Sequence, residues 1–157
     1  MKSLCFFLLL AGSCLGEPGH GVVPDWPDLP EGHVLGLCAG VGVDAQNRVF
    51  VFHRAGRKWS KPFPKEPIAT ATVSVIDGET GKLLNAWGAN RFVMPHGLSV
   101  AADGSVWLTD VGLHQVFKCR PSGEVLMTLG EAGVSGDDAR HFNLPTDVAP
   151  LPDGSFY

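Results

Sequence analysis

Charge is scarce in this chain: Asp, Glu, Lys and Arg make up 18% of it, and 12 basic against 16 acidic residues leave a net charge of −4 with no basic run. A nucleic-acid-binding role, which needs a clustered cationic footprint, is therefore not expected. Cysteine is sparse as well. Of the four, Cys5 and Cys14 lie in the first 16 residues, and the remaining pair, Cys38 and Cys119, is too few for a disulfide scaffold. Those two either pair with each other or stay apart as small apolar residues. There is no Asn-x-Ser/Thr sequon, so N-glycosylation is not expected. Long apolar runs are also missing. The only one, Leu4 to Ala11, is about half the roughly 20 residues of a membrane-spanning helix.

What is present is apolar surface and turns. Hydrophobic residues make up 45% of the chain, with 20 Gly and 12 Pro, a composition that excludes disordered, collagen-like and coiled-coil chains and leaves a globular, turn-rich fold. Lys2, the apolar run and the small residues Gly12, Ser13, Cys14 and Gly16 read as a secretory signal peptide over residues 1–16. The mature chain is accordingly expected in the secretory lumen or outside the cell. Residues 17–32 are rich in Pro and Gly and read as a leader running over the surface, with His20 and His33 facing solvent.

From residue 33 onward the chain repeats itself. PHGLSVAADGSVWLTD, from Pro95, is echoed by PTDVAPLPDGSFY, from Pro145, and more faintly by CAGVGVDAQNRVFVFH, from Cys38. Periods of this length mark solenoids, propellers or arrays. Short β-branched and aromatic runs predict strands at Gly97–Val100, Ser105–Thr109, Gln115–Lys118 and Glu124–Leu129, joined by turns at Asp103-Gly104 and Pro121 to Gly123. The preceding unit offers Val41, Val49–Phe52, Val73–Ile76 and Leu83–Trp87 in the same roles. Four strands per unit predict an all-β fold, a β-propeller of four-stranded blades, of which about two and a half are present. The chain over 33–157 is thus expected to be the N-terminal part of a longer propeller, stopping inside its third blade and inactive alone. Arg57 to Pro67, with three prolines and three lysines, reads as a solvated surface loop rather than a binding lid.

The PHGLSV unit with its DG turn resembles the NHL-type propeller repeat. A finer resemblance runs through VFHRAGRKW, VSVIDGETGKLL, MPHGLSV, WLTDVGLHQVFK and HFNLPTDVA, and it is to the peptidyl-α-hydroxyglycine α-amidating lyases. That resemblance implies cleavage of the C–N bond of a peptidyl-α-hydroxyglycine to give a peptide amide and glyoxylate, with a peptidylglycine monooxygenase acting upstream. It implies that His96 is one of three imidazole ligands of zinc, that Arg54 is an active-site arginine, and that the backbone carbonyls of Val41 and Leu98 hold calcium. The chemistry suits these types: zinc with three histidines and an open position is a catalytic arrangement, a guanidinium grips a carboxylate with two bonds, and carbonyl oxygens are hard ligands for calcium. Without the resemblance, His96 and Arg54 are equally at home as a loop histidine and a rim arginine.

The family's catalytic tyrosine, second arginine, further metal histidines and calcium-binding aspartate find no counterpart up to Tyr157, which aligns with Trp107 and reads as core. His53, Asp110, His114, His141 and Asp147 read as turn or inter-strand hydrogen-bonding residues. The alternatives are a non-catalytic NHL-type interaction propeller and a calcium-dependent propeller hydrolase.

Overall fold

The structure is a computed structural model that describes residue 19 and residues 21–157. The expected signal peptide and His20 lie outside the described residues. Among the described residues there are eight strands and no helix: β1 (Cys38–Val43), β2 (Arg48–His53), β3 (Val73–Asp77), β4 (Leu83–Trp87), β5 (Pro95–Val100), β6 (Val106–Asp110), β7 (Gln115–Cys119) and β8 (Val125–Leu129). They form two antiparallel sheets, ordered β1-β2-β3-β4 and β5-β6-β7-β8. These are two complete propeller blades.

Side-chain pattern explains the order. In each blade the second strand, RVFVFH or VWLTD, is buried along nearly its whole length, whereas β4 and β8 are largely exposed. Apolar β-branched and aromatic side chains on both faces suit a strand packed between two layers. The main core lies between the blades, where Phe50, Phe52, Val73 and Val75 meet Phe92, Leu98, Val106, Leu108 and Phe117. Phe92 packs edge-to-face on Phe52 at 4.9 Å and on Phe117 at 5.2 Å between centroids, a favoured aromatic geometry.

The inner strands β1 and β5 lie side by side, and β1 contributes glycine where they touch. A Cβ on Gly40 would sit 2.6 Å from the Leu98 amide nitrogen, and one on Gly42 would sit 2.7 Å from the Leu98 side chain. The CAGVGV pattern therefore sets the spacing of the blades.

A third unit repeats the pairing of the second. Ala149 and Tyr157 exchange two backbone hydrogen bonds of 2.8 and 3.1 Å, and Pro150 bridges Phe156, just as Ser99 and Val100 pair with Trp107 and Val106 in β5 and β6. Tyr157 thus has the backbone pairing of a strand residue, as its alignment with Trp107 implies.

The leader runs over the surface and is docked there: Trp26 and Leu29, with Leu35 just beyond it, pack on Val49, Val51 and Ile76, and the Asp28 N–H donates to the Gly81 carbonyl. The Arg57 to Pro67 loop is pinned, with Phe63 against Val93, Met94 and Val111. In both cases a few apolar side chains in a Pro-rich segment found an exposed apolar seam.

Candidate functional site

β2 ends at His53, and the chain turns out of the sheet through Ala55, whose φ is 48°. Arg54 sits at this exit, its own N–H donating to the Leu37 carbonyl. Its Nε donates to the carbonyl of Pro95 at 2.9 Å, the residue that opens β5 and precedes His96. Burial lowers the pKa of the guanidinium and the nearby Asp110 carboxylate opposes that shift. With Nε committed, the two terminal nitrogens remain to meet a ligand.

His96 is half-buried, and its Nδ1 lies 3.0 Å from the Thr146 carbonyl. A carbonyl can only accept, so Nδ1 carries the proton and Nε2 presents its lone pair. Metal-binding histidines in general have one ring nitrogen anchored in this way, which orients the other. Thr146 occupies in the third unit the place of His96 in the second, so the bond ties neighbouring inner strands together.

Trp59 joins the two residues. Its ring centroid lies 5.1 Å from the Arg54 guanidinium carbon and 6.2 Å from the His96 ring, edge-on to the latter. The structure thus brings Arg54 and His96 together at one end of the two blades, and adds a tryptophan that sequence reasoning had left in a solvated loop. The signal was an aromatic five residues beyond the arginine in FHRAGRKW, but its meaning depended on how the loop docks.

Asp110 organises this end from beneath. Fully buried, its carboxylate accepts hydrogen bonds from the N–H groups of Val93 at 2.7 Å, Met94 at 2.9 Å, Gly112 at 2.8 Å and Leu113 at 2.9 Å. Burial raises its pKa and the four donors counter that shift. It fixes the lead-in to Pro95 and His96, a structural role as expected.

Val41 and Leu98 stand on the adjacent inner strands, with Gly40 and Gly42 flanking Val41 and both facing Leu98. The two backbone segments come from different blades and lie side by side. Among the described residues no group of three or more His, Cys, Asp or Glu side chains comes together as a metal site. His96 thus stands apart from other His, Cys, Asp and Glu side chains among the described residues.

The other candidates hold structure. His114 Nδ1 accepts the Leu144 N–H at 3.1 Å, His141 Nδ1 meets Asp138 at 2.9 Å, and Asp147 accepts the Val148 N–H at 2.8 Å. His53 is buried, with Nε2 2.9 Å from Ser74 Oγ. His33 is corrected: half-buried rather than solvent-facing, it reaches the same Oγ with its Nε2 at 2.8 Å. Cys38 and Cys119 are not bonded to each other.

Comparison with known proteins bears on family and fold. Residues 92–119 match the family described as NHL repeat. Over 151 residues the chain is 37% identical to peptidyl-alpha-hydroxyglycine alpha-amidating lyase 2 of Drosophila melanogaster, an alignment covering 89% of this chain and 37% of that protein. The chain is a homologue of the amidating lyases. It is also 39% identical over 145 residues to peptidyl-glycine alpha-amidating monooxygenase B of Xenopus laevis, covering 85% of this chain and 16% of that one. It therefore spans little more than a third of the lyase relative's length and about a sixth of the monooxygenase's. In three dimensions, a Bacteroides thetaiotaomicron structural-genomics protein of unknown function superposes with a TM-score of 0.54 at 18% identity, covering 78% of this chain and 30% of its own. That likeness concerns the fold alone.

Proposed function

We propose that the protein containing this chain is a peptidyl-α-hydroxyglycine lyase, a carbon–nitrogen lyase completing C-terminal peptide amidation. The observation that carries the reading is the convergence of Arg54 and His96, the residues matching the lyase motifs, through Pro95 and Trp59. In the reaction the bond from the glycine α-carbon to the amide nitrogen breaks. The hydroxyl loses its proton, the O–H electron pair forms the carbonyl of glyoxylate, and the amide nitrogen takes up a proton to leave as the peptide amide.

Arg54 supports this reading because its Nε is held by Pro95. Its terminal nitrogens form a fixed cationic fork, suited to the substrate's carboxylate and to the charge developing on glyoxylate. His96, anchored at Nδ1 by Thr146, would offer Nε2 to zinc. Bound zinc would act as a Lewis acid that eases deprotonation of the substrate hydroxyl. Calcium would be held by the Val41 and Leu98 carbonyls, joining the inner strands of two blades. The hydroxylated substrate would come from a peptidylglycine monooxygenase, and residues 1–16 would direct the protein into the secretory pathway.

The test is product identity. Metal-replete full-length protein given a peptide ending in α-hydroxyglycine should release amide and glyoxylate in equal amounts, above the spontaneous rate. Binding of protein ligands without any glyoxylate would instead support a non-catalytic propeller.

A further inference from the structure

The Arg57 to Pro67 loop is fastened at several points. The Arg57 N–H donates to the Arg54 carbonyl at 2.8 Å, and its guanidinium donates to the carbonyls of Glu66 at 2.7 Å and Val93 at 2.9 Å. Phe63 is seated on Val93, Met94 and Val111 and packs edge-to-face on Trp59 at 5.0 Å. Trp59 is thus held against both Arg54 and His96, yet 45% of it remains exposed. Packing on Phe63 uses one part of the indole and leaves an apolar surface open beside a cation and an imidazole, on a pinned loop.

We infer that Trp59 is a specificity-determining wall of the site, covering the apolar or aromatic side chain of the residue that precedes the α-hydroxyglycine; this rests on the lyase reading above. A substrate whose carboxylate lies on the Arg54 fork and whose hydroxyl faces His96 has its two polar ends on the two groups that the indole touches. The Cα of the preceding residue is three bonds from the hydroxylated carbon, which puts its side chain within reach of the indole's exposed part. An indole there rewards apolar and aromatic side chains through surface burial and stacking, and offers nothing comparable to serine or aspartate. Its face over Arg54 also steadies the guanidinium for every substrate, so selectivity, rather than rate alone, isolates the wall.

The experiment measures kcat/KM in the full-length protein for two peptides differing only in that position, Phe-α-hydroxyglycine and Ser-α-hydroxyglycine. Wild type should prefer Phe. Trp59→Ala should lower the Phe/Ser ratio about 10-fold, in the range that one lost apolar pocket contact produces, mostly through KM. Trp59→Phe should keep most of the preference, and Trp59→Gln, which keeps bulk without the aromatic face, should lose it even if the alanine variant folds poorly. An unchanged ratio in Trp59→Gln with an active wild type would overturn the wall and leave the lyase reading intact. Absence of glyoxylate release by wild type would overturn both.

Discussion

Arg54 and Asp110 lie close together but do different work, and single substitutions separate them. Lysine at 54 cannot both hold the Pro95 carbonyl and offer a planar fork to a carboxylate. Arg54→Lys should therefore lower kcat/KM by roughly 30- to 1,000-fold, the cost of a preorganised donor, with little change in melting temperature. Asp110→Ala should do the reverse in kind: it strips two buried and two half-buried N–H groups of their acceptor and should cost about 3–5 kcal/mol in urea unfolding. At this scale the motif residues His96 and Arg54 were legible in the sequence because their neighbours are distinctive. Trp59 was not, because its position depends on Phe63 finding a seam built from Val93, Met94 and Val111, residues far along the chain.

At the scale of elements, β2 and β3 carry a buried polar seam. His53 Nδ1 accepts the Ala55 N–H at 3.3 Å, which places its proton on Nε2, facing Ser74 Oγ; the hydroxyl can then donate to His33 Nε2. Burial first, and His33 second, lower the His53 pKa from 6.5 to about 4. A group bound to fewer protons when folded contributes stability that is full above pH 6.5 and declines as pH falls from 6.5 toward 4. The free energy of unfolding should drop by about 1–2 kcal/mol between pH 7 and pH 5 on this account, read as a lower urea midpoint. His53→Gln should flatten that slope. An equal slope in the variant would assign the pH dependence elsewhere. Strand positions were readable from β-branched and aromatic runs, to within a residue or two at most ends. β1 was the exception: Cys38–Val43 was reduced to Val41 because its glycines lower strand propensity. Those same glycines are what allow β1 to approach β5.

The whole molecule was legible because a repeat states one structural unit several times. The Ser99–Trp107 pairing recurs as Ala149–Tyr157, and Gly104, Gly154 and Asn47 take up positive φ at equivalent turns. Docking of the leader and of the Arg57 to Pro67 loop was not legible, since each depends on a few side chains meeting a surface made by the repeats. If repeat and loop together form a metal-assisted lyase site, as proposed above, His96 is the residue whose loss probes it. Its imidazole bonds the Thr146 carbonyl and lies outside the main core, so its loss should spare the fold. The decisive measurement is the initial rate of glyoxylate release from one α-hydroxyglycine peptide by full-length wild type and His96→Ala at the same saturating zinc concentration. The account predicts a loss of at least about 100-fold, typical of removing a metal-site residue or its support, at a nearly unchanged melting temperature. Turnover by His96→Ala within a few-fold of wild type would contradict it.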